Sequence, residues 1–302
     1  MTSTGDPHDV PRSETRNVAI AVAFTVVAWA SAFVAIRTAG VTFSPGPLSL
    51  LRLGVAAICL GTAVAIRREQ LPGRREIVGV LVCGVSWFGV YNVALNAGER
   101  RVDAGTAAMI VYIGPVLIAL LAGWLLGEGF PKLLLLGCSV SFAGVVVIAV
   151  ATSDGFHFGR GVLLCLLAAV TYAIGVVAQK PVLARRSSLS ITFAACGVGL
   201  VLCAPFGPQL VDELEAAPAD AIAWSIYLGV VPTALAFTTW AYALSRTTAG
   251  RMASASYLVP PLAVMMGWII LDEAPTALAL VGGAIVLAGV IVAQRARRRT
   301  TR

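Results

Sequence analysis

Ala104 to Glu128 reads AGTAAMIVYIGPVLIALLAGWLLGE, and Ala249 to Glu273 reads AGRMASASYLVPPLAVMMGWIILDE. The two stretches align without a gap: Ala104 with Ala249, Gly105 with Gly250, Tyr112 with Tyr257, Pro115 with Pro260 and Glu128 with Glu273. The register continues into the following segment through Leu133 and Leu278, Gly137 and Gly282, Gly144 and Gly289, and Val145 and Val290. A self-match at one fixed offset across two apolar segments marks a duplicated unit. The chain is therefore read as two related halves.

Each copy holds an apolar run long enough to cross a bilayer, with a proline near its middle. Proline has no N–H and crowds the carbonyl one turn back, so it opens backbone groups at a depth where lipid cannot satisfy them. Interrupted hydrophobic segments at matching positions of two halves point to a transporter's binding site, although a proline is also tolerated as a simple kink. Pro115, Pro260 and, in a neighbouring span, Pro232 are the hinge candidates. Tyr112 and Tyr257 each precede their proline by three residues, near the freed carbonyls of Val111 and Ser256.

Composition fixes the class. Of 302 residues, 58% are hydrophobic and 12% charged, about half the charged share of a soluble domain. The mean hydropathy is +0.88. The expectation is an all-α integral membrane protein, since the apolar runs are too long for barrel strands. The net charge of +7 does not imply a nucleic-acid partner, because the basic residues lie in short clusters between apolar spans. All six cysteines fall inside apolar spans and read as small buried residues. No metal or other cofactor is implied.

About 20 mostly apolar residues per crossing gives ten spans: 17–36, 47–66, 77–96, 104–126, 133–151, 161–183, 189–206, 221–244, 252–271 and 276–293. Residues 1–16 read as a disordered cytoplasmic tail, 17–151 and 161–294 as the two five-helix repeats, and 295–302 as a basic cytoplasmic tail. With the N-terminus inside, the inner segments collect Arg67, Arg68, Arg74, Arg75, Lys132, Arg185, Arg186 and the C-terminal arginines. The outer segments hold only Arg37, Arg100, Arg101 and Arg160, and the largest of them carries Asp212, Glu213, Glu215 and Asp220. This bias places both termini in the cytoplasm, in a bacterial inner membrane. Five crossings per half is odd, so the second half enters upside down. The repeat is then of inverted topology, with the fourth span ending inside at Glu128 and the ninth outside at Glu273, an arrangement suited to alternating access.

Three stretches carry a resemblance: SPGPLSLLRLGVAA around Arg52, Leu95 to Glu128, and Ser254 to Val290. They resemble the EamA-like branch of the drug/metabolite transporter superfamily, over essentially the whole chain after the N-terminal tail. The resemblance implies ten helices in two repeats around a central cavity, and a transporter, often an exporter of small metabolites, amino acids or drugs. One departure is that Arg52 has no counterpart arginine in the seventh span.

Arg52 lies roughly 9 Å of helical rise inside its span, where a charge must snorkel, pair with carbonyls or face a wet cavity and a substrate carboxylate. In the third span Asn92 and Asn96 share a face and Tyr91 is offset by one position; amides there serve either as inter-helix glue or as ligands. Tyr112, Tyr172, Tyr257, Trp29 and Trp240 are candidates for aromatic cavity walls. The small residues Gly137, Ser141, Gly144, Gly282 and Gly289 read as a packing stripe. Neither histidine lies in a span and no acid lies near a midplane, which argues against a buried proton relay and for facilitated transport, exchange or a less direct coupling. The same lack of buried acid and histidine leaves no catalytic residues for an intramembrane enzyme. A carrier leads, with a channel as the alternative. A single intramembrane cation suits neutral, zwitterionic or aromatic solutes better than polyanions. The partners expected are a small-molecule substrate and the bilayer; monomer and homodimer remain open.

Overall fold

The computed structural model describes residues 12–125, 132–151, 159–244, 246 and 256–300. Among these residues every regular element is helical. The elements are α1 (Arg12–Ala39), α2 (Pro45–Arg67), α3 (Ile77–Cys83), α4 (Tyr91–Glu99), α5 (Ala104–Val111), α6 (Gly114–Leu125), α7 (Lys132–Ala151), α8 (Arg160–Leu183), α9 (Ser188–Cys203), α10 (Gly207–Ala216), α11 (Ala219–Leu228), α12 (Ala236–Leu244), α13 (Val259–Leu271) and α14 (Ala277–Thr300). Seven helical stretches among them are long and apolar enough to cross a membrane, and three shorter apolar helices accompany them. The exterior carries Ile58, Val201 and Ile269, each at least 70% exposed. Such a surface is solvated by lipid chains, and the backbone groups beneath it are satisfied within the helices.

Local chemistry sets several boundaries. The Asp103 side chain accepts from the Thr106 N–H at 2.7 Å and from its hydroxyl at 2.6 Å, capping α5. Pro45 opens α2, where its missing N–H costs nothing. Arg68 at φ 51 and Asp272 at φ 54 turn the chain out of α2 and α13.

Two crossings change helix type midway. Between α3 and α4 the segment Gly84–Val90 is π-helical, and between α11 and α12 so is Gly229–Leu235. Gly84 and Gly229 stand 145 residues apart, the same step as Ala104 and Ala249. Both glycines mark close crossings. A Cβ on Gly84 would stand 2.7 Å from the Ala195 carbonyl of α9, and one on Gly229 2.8 Å from the Arg52 carbonyl of α2. Each half thus lays its π segment against the second span of the other half.

The repeated stretch is also interrupted twice in register. Tyr112 and Ile113 form a turn between α5 and α6, and Tyr257 and Leu258 form the same turn before α13. Both breaks fall just before the proline, which cannot donate to the carbonyl four residues back. Residues 126–131 and 247–255, including Glu128 and the start of the second copy, lie outside the described residues.

Helices α7 and α14 carry the packing stripe, and their contact is reciprocal. A Cβ on Gly137 would meet the Gly289 carbonyl at 2.5 Å, and one on Gly144 the Gly282 carbonyl at 2.7 Å. The pairing runs antiparallel, and stepping by 145 residues turns the first pair into the second. Between them the Ser141 hydroxyl donates to the carbonyl of Val286, its own counterpart, at 3.1 Å. Backbones this close exclude any larger side chain.

Three expected boundaries shift. Helix α1 already starts at Arg12, inside the expected tail, because no proline follows Pro11 in this charged, helix-compatible run; 1–11 lie outside the described residues. At the other end α14 continues to Thr300, through most of the expected basic tail. The acidic segment after the seventh span, expected as an outer loop, is the amphipathic α10. Its Glu213 accepts from the N–H of Ser44 at 2.9 Å, placing a carboxylate at the N-terminus of α2.

Candidate functional site

One cavity lies where α1, α2, the first π segment, α4, α5, α8 and α12 converge. It is lined by Trp29, Ala32, Phe33, Ile36, Arg52, Trp87, Tyr91, Leu95, Val111, Tyr112, Tyr172 and Phe237. Its volume is about 50 Å³. That exceeds the roughly 10–15 Å³ needed by one water and falls short of the roughly 300–1,000 Å³ of a drug-sized pocket. A metabolite therefore requires the helices to part.

Arg52 is the cation of this cavity and is 5% exposed. It does not snorkel. Its Nε donates to the Thr233 hydroxyl oxygen at 2.8 Å. Thr233 in turn donates to the Leu228 carbonyl at 2.8 Å. That carbonyl is the one Pro232, four residues on, cannot bond. The break in the second π segment therefore holds a guanidinium from the opposite half, and Arg52 Nη1 is left without a hydrogen-bond partner.

The rest of the lining is aromatic. Trp87 stands in the first π segment with ring centroids 5.2 Å from Tyr172 and 4.7 Å from Phe237. Trp29 lies 5.7 Å from Phe237, and Tyr91 lies 6.3 Å from Tyr172. Tilted and edge-on rings at these spacings form a rigid wall with polarised faces.

The structure brings five of the candidates together in this lining, Trp29, Arg52, Tyr91, Tyr112 and Tyr172. Four others stand apart from it. Trp240 backs the wall, 4.9 Å from Trp29. Asn92 donates to the Phe88 carbonyl at 2.7 Å and supports its own π segment. Asn96 donates to the Ser49 hydroxyl at 2.9 Å, tying α4 to α2. Tyr257 packs against the main core cluster and is not in the lining, so the two repeat tyrosines are not equivalent walls here. Among the hinge candidates, Pro115 and Pro260 follow the paired turns and Pro232 sits inside a π segment.

Sequence reasoning missed Trp87, Phe237 and Thr233. Trp87 had a readable signal, because tryptophan belongs at membrane interfaces and this one is central to its span. It also missed an acid. The third span runs a turn past its expected end at Asn96, and Glu99, its last residue, is 1% exposed. The expectation that no acid is buried is thereby corrected. Nearby, Arg37 joins the halves: its Nε donates to Glu273 Oε1 at 2.8 Å and its Nη1 to the Glu99 carbonyl at 2.8 Å.

The sequence pattern of the EamA-like transporter family matches residues 17–150 and again 159–294. The chain belongs to the EamA-like transporter family. It is accordingly an integral membrane transporter. This EamA-like transporter is 38% identical, over 91% of its length and 92% of the other's, to the "Probable terminal-alkyne amino-acid exporter" of Streptantibioticus cattleyicolor. It is 31% identical to the "Uncharacterized transporter YdfC" of Bacillus subtilis, over 92% of this chain and 91% of that one. The "Probable amino-acid metabolite efflux pump" of Escherichia coli is 24% identical over 88% of this chain and 91% of its own. A solved crystal structure matches with a TM-score of 0.63 at 21% identity, covering 94% of this chain and 99% of the other. At that identity the likeness speaks for the fold alone.

Proposed function

We propose that this EamA-like transporter exports small amino-acid-like metabolites, neutral, zwitterionic or aromatic, by alternating access, acting as a carrier and not as an enzyme. The observation that carries the reading is the pairing of an aromatic wall with one buried guanidinium whose Nη1 is unpartnered. A carboxylate is its natural partner, and the rings accept an apolar or aromatic side chain. The substrate-contact set is Trp29, Arg52, Tyr91, Tyr112 and Tyr172, with Trp87 and Phe237 added. Asn92, Asn96, Trp240 and Tyr257 act as its support in this conformation. Names given to the Streptantibioticus and Escherichia relatives support export and amino-acid-like solutes.

The mechanism rests on ten crossings in two inverted five-helix repeats, with both termini cytoplasmic in a bacterial inner membrane. The charge bias of the loops supports the orientation. The reciprocal antiparallel contact of α7 with α14 supports the inversion, because a residue meets its own counterpart only on a two-fold axis. The π segments and the paired Tyr–Pro turns are the places where helices bend as the halves rock, and Pro115, Pro232 and Pro260 sit in or beside them. Proteoliposomes loaded with a panel of labelled amino acids test the reading. Saturable efflux accelerated by unlabelled solute on the opposite side is expected; unsaturable flux would make the protein a channel.

A further inference from the structure

We propose that Glu99 is the proton-binding site through which this transporter is driven, and that its charge decides whether Arg37 holds Glu273. The inference rests on the transporter reading above. Glu99 lies four residues beyond Leu95 and eight beyond Tyr91, on the same face of α4, and both of those residues line the cavity. Its carboxyl group is buried one helical turn beyond the lining residue Leu95, with Arg37 on the backbone oxygen of the same residue, and neither Oε1 nor Oε2 has a hydrogen-bond partner. A buried carboxylate ion without a partner is costly, and a bound proton removes the charge.

The groups facing it come from every neighbouring element. They are Arg37 on α1, Arg52 on α2, Tyr91 on α4 itself, Asp103 at the cap of α5, Cys165 on α8 and Glu273 just after α13. Asp103 is committed to Thr106. Glu273 has one oxygen on Arg37, and its Oε2 is unpartnered. Two guanidinium groups therefore meet three carboxyl groups, and the set is neutral when it holds one proton. Arg37 already touches the backbone oxygen of Glu99, and its charge acts on the Glu99 side chain, which makes that carboxyl an alternative partner.

This arrangement is a proton-operated latch. With Glu99 protonated, Arg37 stays on Glu273 and ties α1 of the first half to the second half. When the proton leaves, the Glu99 carboxylate competes for Arg37, Glu273 is released, and that end of the bundle is free to part. A proton bound from water at this end and released from the cavity on the other side moves against an exported solute, one for one.

Two measurements on the full-length protein in liposomes test the latch. Infrared spectra of the solute-free protein at neutral pH are expected to show a carboxylic acid C=O band that is absent in Glu99→Gln, returns in Glu99→Asp and weakens in Glu273→Gln, where Arg37 is free to pair with the Glu99 carboxylate. Labelled L-phenylalanine, followed across an imposed gradient of one pH unit, is expected to reach a ratio of up to about tenfold in the wild type and none in Glu99→Gln. A band unchanged in Glu99→Gln, or gradient-driven accumulation surviving in it, overturns the assignment. Should the wild type carry no phenylalanine, the solute reading suffers, and the band alone decides on Glu99.

Discussion

Gly84–Val90 and Gly229–Leu235 are the same backbone event in two different chemistries. Both are seven-residue π segments, both start at a glycine pressed on the opposite half, and both occupy equivalent places in the repeat. A π turn lengthens the ring closed by each hydrogen bond and leaves carbonyls to be satisfied by something else. The first segment uses Asn92, whose amide reaches the carbonyls four and five residues back. The second uses Thr233, whose hydroxyl reaches five residues back and also receives Arg52. Duplication thus kept the break in the helix and let its side chains diverge. One break came to carry Trp87 and the aromatic wall, the other the anchor for the single cation of the cavity.

If this division is right, the two segments fail differently. The largest effect is expected from Arg52→Ala, which removes the carboxylate partner and leaves a buried hydroxyl without its donor. Losing one member of a buried charge-assisted contact costs about 2–5 kcal/mol, so the apparent affinity for a zwitterionic amino acid should fall on the order of 100-fold in counterflow assays. Arg52→Lys restores the charge but not the planar fork and should recover only part of the loss. An Arg52→Ala protein with an affinity within about threefold of wild type, under 1 kcal/mol, would show that the second segment does not organise the site.

Trp87→Leu is the matching test of the first segment. It keeps apolar bulk and removes the ring that contacts Tyr172 and Phe237. Aromatic pairs contribute about 0.5–1.5 kcal/mol beyond area burial, so affinity for phenylalanine or tryptophan should drop roughly tenfold, with aliphatic amino acids changed far less. Equal losses for both solute types would mean that Trp87 serves the helix and not the wall.

The duplicated halves, the paired prolines, the glycine stripe and the depth of Arg52 within its span were readable from the chain, because each is a matter of spacing along it. What could not be read depends on contacts across it. Thr233 is an ordinary threonine until Arg52 arrives from a residue 181 positions away. Glu99 fell outside its expected span because the apolar run was taken to end at Asn96; α4 continues for a turn, and Glu99 at its end is buried. The π segments were equally hidden, since Gly84–Val90 contains no proline and its composition suits an α-helix as well. Tyr112 and Tyr257 show the converse limit. Identical registers predicted identical roles, and neighbouring side chains placed only Tyr112 on the cavity.

Thr233→Val separates the anchor from the cation. The substitution keeps the shape, removes one hydrogen bond to Leu228 and one from Arg52, and leaves the guanidinium in place. Hydrogen bonds inside membrane bundles average about 0.6 kcal/mol, up to about 1.7, so a several-fold loss in affinity is expected, with Thr233→Ser close to wild type. If Thr233→Val matched Arg52→Ala in full, the threonine would be the site and the arginine its servant, inverting the assignment.

Pro232→Ala should do least, and its smallness is what the comparison of the two segments requires. A proline inside a helix removes one backbone bond and ordinarily accounts for the distortion around it. Yet Trp87 occupies the equivalent position of the first segment, and that segment is π-helical all the same. What the two share is a leading glycine at a close crossing and a side chain that satisfies carbonyls. Restoring the N–H at residue 232 should therefore leave Gly229–Leu235 open, with the Leu228 carbonyl still held by Thr233. Solute exchange rates are expected within about twofold of wild type, a difference of under 0.5 kcal/mol, and backbone hydrogen exchange in Gly229–Leu235 should remain faster than in α11. A many-fold slower exchange of solute together with slowed hydrogen exchange would make the proline itself the hinge, and the likeness of the two segments would then conceal two different causes.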